Sequence, residues 1–137
     1  MEIRPLTPND IPALLALWQS LPGLGLSPDD VPERLAAFMA RNPTTCLGAC
    51  EGNALVGSVL GGYDGRRGYL YHLAVRQDLQ GKGYGKALVG RAVEEFKKFG
   101  CARIRLCVFG TNTRAREFYR RLGWSERDDL IVAAWNG

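Results

Sequence analysis

The sequence predicts a mixed α/β fold in one domain spanning residues 1–137, with element order β-α-α-β-β-β-α-β-α-β and helices on both faces of a central mixed sheet. Three observations carry that prediction. Apolar residues at helical spacing alternate along the chain with short strand-like runs. Residues 69–75, YLYHLAV, are apolar on both faces and read as a central strand covered on both sides. No linker, low-complexity tract or internal repeat interrupts the chain.

The elements follow in order. MEIRPL alternates weakly and reads as a first strand. In TPNDIPALLALWQSL, Leu14, Leu17, Trp18 and Leu21 share one helical face, and PGLG ends that helix. SPDDVPERLAAFMARN restarts one, with Ser27 as N-cap, Pro28 at the first position and Asp29 and Asp30 in the first turn. Val31, Leu35, Phe38 and Met39 form its apolar stripe. TCLGAC and ALVGSVLGGY are strands joined by the turn EGN. YDGRRG is a second turn built on Asp64-Gly65, and YLYHLAV follows it. Leu88, Ala92, Val93, Phe96 and Phe99 mark a third helix that stops at Gly100. ARIRLCVF is a strand, TRAREFYRRLG a helix ended by Gly123, and LIVAAW a final strand.

Composition narrows the class. Hydrophobic residues make up 46% and charged residues 23%, as in soluble globular proteins. No apolar run approaches the roughly 20 residues of a membrane span. The N-terminus lacks the basic and apolar regions of a secretion signal. The cysteines at 46, 50, 101 and 107 form no C-x-x-C pair, and the single histidine cannot complete a zinc set with them. They read as structural thiols in a reducing cytoplasm, Cys101 and Cys107 as small core residues, and no metal is expected. Charge is uneven. Residues 1–50 carry three basic and five acidic side chains, and residues 51–137 carry fifteen and nine. The local balances, −2 and +6, give the whole-chain +4 and suggest that the second part handles an anion.

Residues 80–86, QGKGYGK, join the buried strand to a helix start. Helix N-termini present unpaired N–H groups and a positive dipole end, and glycine lets backbone amides approach an anion closely. Lys82 and Lys86 add charge, so a diphosphate ligand is the physical inference. A dinucleotide fingerprint fits poorly, because Lys86 occupies its third glycine position. A P-loop needs a Gly-Lys-Ser or Gly-Lys-Thr run, and none is present.

Together with NTRAREFYRRLGW, the segment LAVRQDLQGKGYGKAL resembles the GCN5-related N-acetyltransferase (GNAT) family. Gln80, Gly83 and Gly85 match its [RQ]-x-x-G-x-[GA] motif, and Asn112 to Trp124 match its N-x-x-A-x-x-F-Y-x-x-x-G-[FW] motif. The hairpin GGYDGRRG is similar to that of a small bacterial subgroup. The resemblance covers nearly the full chain and implies the acyl-CoA N-acyltransferase fold, with acetyl-CoA as co-substrate. It implies that the loop from Gln80 through Gly81, Lys82, Gly83, Tyr84, Gly85 and Lys86 holds the pyrophosphate. Backbone groups of Leu73 and Val75 would pair with the pantetheine arm, and Asn112 would contact that arm.

Acetyl transfer needs a neutral amine, a stabilised oxyanion and a proton for the departing thiolate. The resemblance implies Tyr119 as general acid, with packing against the cofactor as its other reading. It puts the base, where relatives have one on this strand, at the positions of Tyr69 or Tyr71, which therefore line the acceptor face here. Neither is a carboxylate, so a tyrosine–water chain or no dedicated base is expected. His72 is the only histidine. Strand alternation sets Tyr69, Tyr71, Leu73 and Val75 on one face and Leu70, His72 and Ala74 on the other, unless a bulge intervenes. Cys107 stands where some relatives carry Glu, and core packing is its expected role.

The function expected is therefore transfer of an acetyl group from acetyl-CoA to a primary amine of a small molecule or protein, by direct attack in a ternary complex. The alternative is a non-catalytic CoA-binding regulatory module. A nucleic-acid binder is suggested by the basic pI but lacks a dedicated motif, so no nucleic acid and no membrane are expected as partners. A homodimer is the default, since look-alikes commonly dimerise.

Overall fold

Five strands form one sheet in the order β1-β2-β3-β4-β5. They are β1 Glu2–Pro5, β2 Cys46–Glu51, β3 Ala54–Tyr63, β4 Gly68–Val75 and β5 Ile104–Leu106. The first three pairings are antiparallel, and β4–β5 is parallel. The helices are α1 Ile11–Gln19, α2 Pro32–Arg41, α3 Tyr84–Lys98 and α4 Thr113–Arg121. This computed structural model describes residues 1–137 in two compact units, Met1–Cys107 and Val108–Gly137.

The first unit buries helices against both faces of the sheet. On one face, Leu14, Leu17 and Trp18 of α1 and Leu35 and Met39 of α2 cluster with Cys46, Leu60 and Ala74. On the other lies α3, with Leu88, Ala92 and Phe96 fully buried. Glycines let α3 come close. A Cβ at Gly68 would lie 2.7 Å from the Phe96 ring, and one at Gly61 would lie 3.1 Å from it. Burying one such aromatic side chain is worth about 1.5–3 kcal/mol. Arg4 fixes the entry to α1 by gripping Asp10 with two bonds of 2.8 Å, while Asp10 also accepts the Thr7 N–H.

The structure departs from expectation at three elements. Helix α2 starts at Pro32, four residues after Pro28. Pro32 forces Val31 into an extended conformation (φ −109°, ψ 153°), which separates the helix from the upstream turn. Ser27 to Asp30 therefore close an isolated turn, with the Ser27 N–H on the Asp30 carboxylate at 2.8 Å. Strand β5 covers only Ile104–Leu106, because β4 gives it partners only from Gly68 to Leu70. The segment LIVAAW forms no strand: Ile131 is 92% exposed and Trp135 90%. An apolar run becomes a strand only with a ladder partner, and the second unit contains no other strand.

In the second unit, the Asn112 carboxamide caps α4 by accepting the Ala115 N–H at 3.1 Å. The helix closes in a Schellman motif, with Gly123 N–H on Arg120 O and Trp124 N–H on Tyr119 O, both 3.0 Å. Gly123 has φ +91°, and the Trp124 ring stands 5.7 Å from Tyr119. No helix of the chain is long and apolar enough to cross a membrane.

Candidate active site

The glycine loop runs from the end of β4 to α3. Gly81 (φ +79°) and Gly83 (φ +91°) are left-handed, and nothing lies within 4 Å of a Cβ at either. Backbone conformation, not crowding, requires glycine there. Gly83 caps α3, and the first helical bond is Ala87 N–H to Gly83 O at 3.1 Å. The N–H groups of Tyr84, Gly85 and Lys86 are thus left without helical acceptors. Lys82 and Lys86 are exposed and hold no ion pair. Tyr84 points elsewhere: its hydroxyl donates to Glu51 at the end of β2. Gln80 ties the loop to the sheet through Nε2 on Val75 O at 2.9 Å.

That bond lies on an open strand edge. Beyond Leu70, β4 has no partner on the β5 side. Arg76 N–H donates to Val56 O at 2.8 Å, so alternation turns the Val75 N–H and C=O to the open edge. Two residues beyond Leu70 the strand is irregular at His72. Between the Leu60–Tyr71 and Ser58–Ala74 pairs, β3 has one residue and β4 has two, a β-bulge with His72 at φ +49°.

The bulge overturns the alternation expected for this strand. Tyr71 faces Phe38 of α2 at 5.9 Å, and His72, next in sequence, faces Trp18 of α1 at 4.7 Å. Ala74 joins the same helix layer. Val75 pairs with Gly57 on the α3 side, away from Tyr71. A buried relay braces the bulge: Trp18 Nε1 donates to Ser58 Oγ at 2.9 Å, and Ser58 Oγ donates to His72 O at 3.0 Å. His72 Nε2 meets Asp30 Oδ1 at 2.9 Å, with both side chains mostly buried. The only histidine is therefore a satisfied one, as expected, but on the side of the tyrosines.

Tyr69 and Tyr71 stack at 4.7 Å, and the Tyr69 hydroxyl lies 2.6 Å from Cys107 Sγ. Burial, then Cys107, pushes the Tyr69 phenol above its ordinary range; burial, then the Cys107 charge, raises Tyr71. Both hold their protons at neutral pH and suit hydrogen-bond donation better than base chemistry. Cys107 is exposed, which corrects its expected place in the core; Cys46, Cys50 and Cys101 are buried. In the second unit, Tyr119 packs edge-on to Phe118 at 5.0 Å, and burial pushes its phenol up to about 12.

Sequence reasoning missed Trp18, Ser58 and Asp30 as the support of the bulge. Asp30 looks like any helix-start carboxylate in sequence, and the only signal was a lone histidine within a strand.

The Acetyltransferase (GNAT) family profile matches residues 11–124. An acetyltransferase of Sodalis glossinidius is 32% identical over 96% of this chain and 92% of its own length. One from Pectobacterium atrosepticum is 34% identical over 96% and 93%. Among solved structures, the PaiA N-acetyltransferase of Thermoplasma acidophilum in complex with coenzyme A superposes with a TM-score of 0.83. It is 23% identical, over 93% of this chain and 91% of that one. Ard1 from Thermoplasma volcanium gives 0.80 at 20% identity, over 96% and 84%. These two likenesses bear on the fold alone, whereas the profile and the curated relatives bear on kinship: the chain belongs to the acetyltransferase (GNAT) family.

Proposed function

We propose that residues 1–137 act as one N-acetyltransferase domain that moves an acetyl group from acetyl-CoA to a primary amine in a ternary complex. One observation carries this reading: the left-handed Gly81 and Gly83 leave the first N–H groups of α3 free, beside the open edge of β4. The free amides, with Lys82 and Lys86, suit a pyrophosphate. The open edge at Leu73 and Val75 suits the amide groups of a pantetheine arm. Asn112 completes the cofactor contacts in this reading. Its carbonyl oxygen already caps α4, so only its NH2 is left to donate.

In the reaction, the amine lone pair attacks the thioester carbonyl and the C–S bond breaks. The proton lost by the nitrogen balances the thiolate. With a pKa near 12, Tyr119 holds its proton at neutral pH. Tyr119 is the general acid of this reading: its O–H donates to the leaving sulfur, and the proton lost by the amine nitrogen restores the phenol. Tyr69 and Tyr71, raised in pKa, line the acceptor side without acting as bases. In this proposal the chain belongs to the small bacterial subgroup that its GGYDGRRG hairpin resembles, and works in the cytoplasm as a homodimer.

An amine-library screen for free CoA thiol tests the function. Turnover of at least one primary amine, with thermal stabilisation by acetyl-CoA, is the expected result. Stabilisation without turnover of any amine would favour a non-catalytic CoA-binding module. No stabilisation at millimolar acetyl-CoA would refute the cofactor assignment.

A further inference from the structure

We infer that the amine acceptor carries an anionic group, held by Arg67 and Arg105 about 7–13 Å along the sheet from the point of transfer. The inference rests on the acetyltransferase reading and names its substrate class.

The argument starts from register. Tyr69 pairs with Arg105 in the parallel β4–β5 ladder, and Gly68 N–H donates to Arg103 O at 2.9 Å. Alternation then puts Arg67, Tyr69 and Tyr71 in one row and Arg103, Arg105 and Cys107 in the neighbouring row of the same face. The Tyr69–Cys107 contact of 2.6 Å fixes that face. Two short rows thus run from guanidinium groups to the aromatic and thiol groups where the strands part. At about 3.3 Å per residue, Arg105 lies roughly 7 Å and Arg67 roughly 13 Å back from the level of Cys107 and Tyr71.

No carboxylate pairs with these guanidinium groups, although the Asp64 charge acts on Arg66 and Arg67 from the turn. Arg66, Arg67, Arg103 and Arg105 make no ion pair, as is also true of the scattered Arg41, Arg91 and Arg114, whereas Arg4, Arg34, Arg76, Arg116, Arg120, Arg121 and Arg127 each hold a carboxylate; what sets the four apart is that they lie together at one end of β4 and β5. The nearby carboxylate, Asp64, accepts the backbone N–H groups of Arg66 and Arg67 at 2.7 Å each. Arg105, then burial, Arg66 and Arg103, lower the Arg67 pKa against a smaller opposing pull from Asp64, a sign of like charges held close. Arg105 also favours the Tyr69 phenolate. A carboxylate or phosphate bridging Arg67 and Arg105 would relieve that repulsion with charge-assisted bonds in the planar geometry guanidinium favours.

The test compares matched acceptors. 6-Aminohexanoate and 8-aminooctanoate supply a carboxylate, O-phospho-6-aminohexanol supplies a phosphate, and hexylamine supplies neither. We expect kcat/KM to favour the anionic member of each pair by tenfold or more, and the advantage to shrink in 0.5 M NaCl. Arg67→Gln and Arg105→Gln should bring that ratio near unity, and Arg105→Lys should restore part of it. A ratio near one in the unaltered protein, or one unchanged in both Gln variants, would overturn the inference.

A second arm needs no turnover. Calorimetry with unreactive N-acetyl-6-aminohexanoate should show binding that both Gln variants lose. Equal binding by all three proteins, or none by the parent, would overturn the inference even if amines are acetylated. Binding lost in the variants without turnover of any amine would uphold the anion site and sink the acetyltransferase reading.

Discussion

Ser58→Ala isolates the support of the β4 bulge. Trp18 and Ser58 are both 0% exposed, so the mutation strands the indole N–H away from water. An orphaned buried donor costs about 1–3 kcal/mol. The His72 carbonyl also loses its hydroxyl donor, worth about 0.5–1.5 kcal/mol more. One oxygen leaves almost no cavity, so the sum is about 2–4 kcal/mol. For a chain of this size that is a drop in Tm of roughly 6–15 °C. Urea unfolding followed by far-UV circular dichroism should show the midpoint falling at constant slope. Trp18→Phe removes the donor itself, so the double variant should be more stable than the sum of the singles by at least about 1 kcal/mol. A Ser58→Ala loss below 0.5 kcal/mol, or strict additivity in the cycle, would refute the relay.

Three further outcomes are expected. Gly81→Ala and Gly83→Ala should each cost about 1–2 kcal/mol through their left-handed backbone and weaken acetyl-CoA in calorimetry, whereas Gly90→Ala, in α3 with nothing within 4 Å, should stabilise by about 0.5–1 kcal/mol. Of the four thiols, Cys107 alone should react rapidly with an aromatic disulfide in the native protein; Cys46, pushed up to about 12 by burial, should react only on unfolding. Burial raises the Tyr119 phenol above its unfolded value, so its stabilising contribution is complete below about pH 10 and is lost as pH climbs through about 12. The 295 nm phenolate step absent from Tyr119→Phe should accordingly fall near pH 12, and a step near pH 10 would contradict the burial.

Local signals made much of this architecture readable. Strand β3 matches ALVGSVLGGY residue for residue, and α4 ends at the glycine that marks its stop. The loop glycines were legible because positive φ at a helix start is a backbone property that glycine alone meets easily. What stayed hidden depends on partners distant in sequence. Pro28 and Pro32 both look like helix starts, and only the Ser27–Asp30 turn, with Asp30 drawn to His72 across 42 residues, shows which one acts. LIVAAW has a strand's composition, but composition supplies no partner. Cys107 looks apolar in ARIRLCVF, yet β5 ends before reaching it. The face of His72 was invisible because alternation assumes an unbroken ladder.

The extra residue at His72 makes β4 a strand with a spacer. Removing that one residue would leave Tyr71, Ala74 and Val75 facing the layers they face now, since the bulge is what β3 has no counterpart for. The core would lose the Asp30 contact, the ring packed on Trp18 and the carbonyl that accepts from Ser58. In this sense the histidine position is an insertion around which the interior is built. A His72 deletion should keep the register of both ends of β4 and lose stability through Trp18, Ser58 and Asp30.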